Sequence, residues 1–228
     1  MPPQPPKPES QSQRNPLIYL ITSGETTVQT TPATEEFSNI LRLVAAAVAA
    51  KIDLIQLREK RLNTNILYKL SARAADITSG SSTKLLINDR ADVAAAVGAD
   101  GVHLTTSSLP PYDVRRTFGP EFLIGVSTHS FEEAGAAGRS GADFIVFGPV
   151  FDTLSKRQYG KPLGLGELRK VSSELAPFPV LALGGVTTSN AADCIQAGAA
   201  GIAAIRILNN RLQLDTVVKE IRGRFENP

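Results

Sequence analysis

Three stretches of the chain repeat one junction: Val97-Gly98-Ala99-Asp100-Gly101, Ser140-Gly141-Ala142-Asp143-Phe144 and Ala197-Gly198-Ala199-Ala200-Gly201. Each follows a helical pattern and leads straight into a short apolar run. Glycine there ends a helix in the left-handed conformation, which a residue without Cβ adopts at little cost. The strand then begins at once. Helices that hand over to strands in this way, repeatedly and without long insertions, are the pattern of a parallel α/β fold.

Taken in order, apolar runs predict strands at Leu17–Ile21, Asp53–Leu57, Lys84–Ile87, Val102–Leu104, Leu123–Val126, Phe144–Phe147 and Val180–Leu183, with an eighth leading up to Arg206. Helical periodicity places helices from Thr34, over Asn63–Thr78, Ala91–Val97 and Pro110–Phe118, to Arg139 behind a Ser130/Glu133 capping box, over Leu165–Leu175, behind Thr187 or Thr188, and over Leu214–Phe225. Eight such units predict a single (β/α)8 TIM barrel over residues 17–228, with a doubly wound open sheet as the alternative. Residues 1–16, rich in Pro, Gln and Ser, read as a disordered tail.

Composition narrows the partners. A net charge of +2 gives no reason to expect nucleic acid, and no apolar run is long enough to cross a bilayer. The single cysteine, Cys194, has no internal partner and suits a reducing cytoplasm. Small-molecule substrates are the expected partners, and homo-oligomerisation is left open.

In a barrel of this kind, functional side chains stand at the C-terminal ends of the strands and in the loops that follow. Those positions hold Gln56, Arg58 and Lys60; Asn88 and Asp89; His103 and Ser108; Ser127 and His129; Thr153, Ser155 and Lys156; Gly184 and Gly185; and Arg206. Cations, hydroxyls and glycine amides predominate, which suits a phosphorylated or pyrophosphorylated ligand. Asp89 beside Asn88 suits a hard cation such as Mg2+, held through one or two carboxylates and substrate phosphates. Gly184-Gly185 before a capped helix is an anion site on the same logic. Taken singly, residues 56–60 also read as a solvated, salt-bridged strand end and residues 88–90 as a helix cap. His129 stands between a base and a packed histidine, and His103 reads as structural.

QLREK (56–60), NDR (88–90), AVGADGVHL (96–104), GVSTH (125–129), GADFIVFGPVFDTLSK (141–156) and ALGGVTTSN (182–190) together resemble thiamine-phosphate synthase, within a superfamily that also holds thiazole tautomerases. The resemblance implies coupling of hydroxymethylpyrimidine diphosphate to a thiazole phosphate with release of pyrophosphate. Carried over by motif, it implies Arg58, Lys60, Asn88, Ser127 and Lys156 on the pyrophosphate, Gln56 near the pyrimidine and Asp89 on Mg2+. It implies Thr153, Ser155 and Gly185 on the thiazole phosphate, with Gly184 beside them. Two positions depart from the family pattern. Ser108 stands where a second metal carboxylate is usual, and Arg206 where a serine is usual, so Arg206 is an added phosphate contact. His129 matches the histidine proposed as catalytic in the tautomerase branch. That branch is the alternative function, and a non-catalytic phosphate-binding paralogue is a third reading.

Overall fold

The computed structural model describes residues 15–153 and 161–226. Ser155, Lys156 and the expected tail, apart from Asn15 and Pro16, lie outside the described residues. Among the described residues eight strands alternate with eight α-helices. The strands are β1 (Leu17–Ile21), β2 (Leu54–Leu57), β3 (Lys84–Asn88), β4 (Gly101–Leu104), β5 (Leu123–Thr128), β6 (Phe144–Phe147), β7 (Val180–Leu183) and β8 (Gly201–Ala204). The helices are α1 (Glu35–Ala49), α2 (Thr64–Thr78), α3 (Ala91–Val97), α4 (Pro111–Phe118), α5 (Phe131–Arg139), α6 (Gly164–Glu174), α7 (Ala191–Gln196) and α8 (Leu214–Glu226). Each strand pairs in parallel with the next, and β1 pairs with β8, so the sheet is closed and β3 lies across the barrel from β7. The TIM barrel is therefore confirmed and the open sheet excluded.

Side chains alternate between two cores, as strand geometry requires. Ile18, Leu20, Ile55, Ile87 and Ile145 face outward and are buried under the helices. Tyr19, Ile21, Leu54, Leu86, Phe144, Val146, Leu181 and Ala203 fill the barrel itself.

The repeated junction turns out to occur four times. Gly98, Gly141 and Gly198 have φ of +69°, +94° and +93°, and Lys51 takes a similar left-handed turn at φ 56° between α1 and β2. In each copy the next residue donates its N–H back to the preceding helix: Ile52 to Ala47, Ala99 to Ala94, Ala142 to Ala137 and Ala199 to Cys194. The aspartate that follows performs a task invisible in the linear pattern. Asp53, Asp100 and Asp143 accept from the backbone N–H of Ile18, Leu85 and Ile124, each at the foot of the preceding strand. A cation meets each carboxylate: Arg222 at 3.0 Å, Lys84 at 2.8 Å and Arg115 at 2.6 Å respectively. Arg115 also donates to the carbonyls of Gly119, Pro120, Phe122 and Gly141. In the fourth copy Ala200 has no carboxylate to offer. These clamps sit on the N-terminal face, where they serve stability.

Three details of the local reading change. Strands β3 and β5 run further than expected, so Asn88, Ser127 and Thr128 are strand residues. Strand β8 stops at Ala204, and Arg206 opens a 3₁₀ turn, Arg206–Leu208, instead of ending the strand. The cause is Asn209, whose side-chain amide donates to the carbonyls of Ile205 and Ile21 and folds the chain back across the barrel rim. Helix α7 starts at Ala191. Thr187 caps the turn before it: its Oγ1 accepts from Asn190 N–H at 3.3 Å, while Asn190 Oδ1 accepts from Thr187 N–H at 2.8 Å.

Candidate active site

The closed barrel brings the described candidates to one face, because each stands at or beyond a strand's C-terminal end. Strand β2 delivers Gln56, which is buried and faces the interior, then half-buried Arg58 and exposed Lys60. Gln56 Nε2 donates to Asn88 Oδ1 at 3.2 Å, joining the ends of β2 and β3. That bond leaves the Asn88 amide N–H groups available to an acceptor. Asp89 follows with φ 58°, a left-handed conformation that aspartate tolerates better than most residues. Its N–H donates to His103 O at 2.9 Å, and its carboxylate stands exposed at the barrel mouth.

Glu59 is not the solvated, salt-bridged residue that its charged neighbours suggest. It is 3% exposed, and its carboxylate accepts from Thr22 Oγ1 and Thr26 Oγ1, both at 2.6 Å. Thr22 Oγ1 in turn accepts from Arg58 N–H at 2.8 Å. The loop after β1 is thereby tied to the residue that carries the Arg58 side chain. Linear reading missed Glu59 because the hydroxyls that hold it lie more than thirty residues away.

Strand β5 supplies Ser127, whose Oγ lies 2.9 Å from His103 Nε2. His103 is buried inside the barrel, and its Nδ1 lies 3.1 Å from the Tyr19 hydroxyl. Burial, and then the charge of Arg58, pushes the His103 imidazole down to about 3, so the ring is neutral.

His129 follows on the exposed rim. Its Nδ1 is 2.5 Å from Gly148 O, and because a carbonyl only accepts, Nδ1 carries a proton and Nε2 is the ring nitrogen left for other contacts. The capping box is offset by one residue: Ser130 Oγ accepts from Glu133 N–H, but Glu133 Oε2 accepts from His129 N–H.

Across the mouth, Gly184 and Gly185 have φ of +98° and +66°. A Cβ on Gly184 would lie 2.6 Å from Pro149 Cα, and one on Gly185 would lie 2.7 Å from Asp152 O. The chain after β6 crosses directly over this turn, with Val150 and Phe151 N–H donating to Leu183 O and Gly184 O. Thr153 is half-buried just beyond it. Arg206 is exposed on the rim beyond β8.

Ser108 is drawn into its own loop. Its Oγ accepts from Thr105 N–H at 2.8 Å and lies 2.9 Å from Thr105 Oγ1. Among the described residues no cluster of three or more His, Cys, Asp or Glu could enclose a metal ion. Asp89 with exposed carboxylate oxygens still fits Mg2+, which commonly takes one carboxylate and completes its shell with water and substrate phosphates.

Comparison with known proteins finds relatives over most of the chain. The family described as thiamine monophosphate synthase matches residues 19–208. The thiamine-phosphate synthase of Chloroflexus aurantiacus is 39% identical over 181 residues, covering 79% of this chain and 83% of its own. That of Methanoculleus marisnigri is 38% identical over 188 residues, covering 82% and 87%. The solved thiamine phosphate pyrophosphorylase of Pyrococcus furiosus superposes with a TM-score of 0.75 at 29% identity, covering 93% of this chain and 96% of that one. The chain belongs to the thiamine monophosphate synthase family.

Proposed function

We propose that this protein is a thiamine-phosphate synthase, a transferase that couples hydroxymethylpyrimidine diphosphate to thiazole phosphate and releases pyrophosphate. The observation that carries the reading is the division of the mouth into two halves. Arg58, Lys60, Asn88, Asp89 and Ser127 stand at or just beyond the ends of β2, β3 and β5, while Gly184 and Gly185 follow β7, across the barrel from β3. The first half suits a leaving diphosphate: cations and donors stabilise charge that grows as the bond to the pyrimidine methylene breaks. The second suits the phosphate of the acceptor, with the glycine amides, Thr153 and the added cation of Arg206 as its contacts. Gln56, oriented by Asn88, is placed for the pyrimidine ring.

Mg2+ bound at Asp89 would supply Lewis-acid stabilisation of the diphosphate oxygens. Ser108 would add only a weak or water-mediated contact, since its hydroxyl already serves Thr105. Through the family pattern, Lys156 is assigned to the pyrophosphate and Ser155 to the thiazole phosphate. Buried Cys194, whose thiol burial pushes up to about 12, is inert packing and fits a reducing, cytoplasmic setting.

The test is direct. Purified protein with Mg2+ and both substrates should release pyrophosphate in proportion to thiamine phosphate formed; no release beside an active control synthase refutes the assignment. The tautomerase alternative draws on one observation, that His129 is held through Nδ1 by Gly148 O with its Nε2 left for a substrate contact. It requires isomerisation of carboxythiazole phosphate that His129→Ala abolishes, without any need for the diphosphate substrate.

A further inference from the structure

The polar chain inside the barrel has a direction. Tyr19 and His103 are 0% and 2% exposed, so each polar hydrogen on them needs a protein acceptor. Among the described residues, His103 Nδ1 is the hydrogen-bond partner of the Tyr19 hydroxyl, at 3.1 Å. Burial holds that phenol protonated. A neutral imidazole has one N–H and one lone pair. If Nδ1 bore the hydrogen, it would donate to the phenol oxygen and the phenol's own proton would be stranded in a dry core. The satisfied arrangement has Tyr19 O–H donating to Nδ1 and Nε2–H donating to Ser127 Oγ. Ser127 Oγ then accepts from below, and its own hydrogen is free to point up into the mouth.

The space for this relay is built in. His103 packs against the Tyr19 and Phe144 rings, with centroids 5.6 and 6.1 Å away. A Cβ on Gly125 would lie 2.7 Å from His103 Nδ1 and 2.4 Å from Phe144 Cζ, so only glycine at that point of β5 admits the imidazole. The barrel thus gives up apolar filling at its centre to house a histidine that lies below the mouth.

We infer that Tyr19 and His103 are positioning residues that set the Ser127 hydroxyl as a hydrogen-bond donor toward an anionic ligand, the diphosphate. Without the relay, Ser127 can spend its hydrogen on His103 Nε2 and present only lone pairs to the mouth, which repel phosphate oxygens. The inference rests on the synthase reading for the identity of the anion, and on hydrogen-bond geometry alone for the direction of the relay.

Two measurements test these parts separately. Long-range ¹H–¹⁵N correlation on histidine-labelled protein reads the His103 tautomer without substrate. The Nε2–H form is expected in the wild type, with the Nδ1–H form appearing in Tyr19→Phe. A wild-type Nδ1–H form, or a doubly protonated ring at neutral pH, overturns the relay whatever the enzyme does. Calorimetry with inorganic pyrophosphate and Mg2+ then reads the ligand half. Tyr19→Phe should weaken pyrophosphate about tenfold in the wild-type background, the scale of one hydrogen bond to a charged group, and not further in a Ser127→Ala background. Equal weakening in both backgrounds overturns the positioning role. An Nε2–H tautomer with pyrophosphate affinity indifferent to Ser127→Ala leaves the relay standing but refutes the diphosphate as its ligand.

Discussion

Removing the Glu59 carboxylate should loosen the loop after β1 and, through it, Arg58. Two hydroxyls donate to that carboxylate at 2.6 Å, and a third, weaker contact from Thr26 N–H is at 3.4 Å. Hydrogen bonds to a charged group contribute about 1.5–3 kcal/mol each. Two good ones set an upper value of about 6 kcal/mol. Loop relaxation and water entering at the barrel mouth recover part of it, because stranded hydroxyls near the rim are rehydrated. Glu59→Ala should therefore cost about 3 kcal/mol, a fall in Tm of about 6–12 °C for a chain of this size. Glu59→Gln keeps the shape and one acceptor oxygen while losing the charge, and should cost about 1 kcal/mol. Urea unfolding gives the stabilities. Amide exchange gives the local effect, since Arg58 N–H is held by Thr22 Oγ1, the same hydroxyl that Glu59 fixes. Steady-state pyrophosphate release should show a raised KM for the diphosphate substrate. Stability within about 0.5 kcal/mol of wild type, together with unchanged Arg58 exchange, would refute the role of Glu59 as the tie between loop and strand.

Other expectations follow from single positions. Lys51 occupies a left-handed turn that glycine occupies in the sister junctions, so Lys51→Gly should raise stability by about 1 kcal/mol in urea unfolding; a loss of stability would show that the lysine side chain is held there. Gly184→Ala drives a Cβ to 2.6 Å from Pro149 Cα and should lower stability by about 2–4 kcal/mol while weakening thiazole-phosphate binding in calorimetry. Ser71 Oγ is buried in α2 with no partner among the described residues, so Ser71→Ala should be stabilising by about 1 kcal/mol, measured by the thermal midpoint. The His103 imidazole, at about 3 in the folded chain against its ordinary 6.5, lets the unfolded state bind a proton the folded state refuses. Stability should thus fall as pH drops below 6.5 toward 3, by about 1.4 kcal/mol per pH unit from this residue; His103→Gln should remove that slope.

Residues of this chain differ in what they need before they declare themselves. Periodicity and left-handed glycines are local, and from them the barrel, its strand order and the rim positions of Gln56, Arg58, Asn88, Asp89 and Gly184-Gly185 were already legible. Residue types at those positions also carry the proposal of an anion site, because cations and glycine amides suit phosphate wherever they stand. The remaining features depend on partners far apart in the chain. Glu59 reads as solvated until Thr22 and Thr26 close over it; the aspartates of the junctions show no role until each meets a strand foot and a cation. Arg206 left its strand because Asn209 reached back to Ile21. Tyr19 read as one more apolar strand residue and His103 as structural packing, and neither spacing nor composition could say otherwise. Only closure of the barrel, by bringing β1, β4 and β5 side chains into one dry interior, set the Tyr19 hydroxyl against His103 and His103 against Ser127, and so gave that chain its direction.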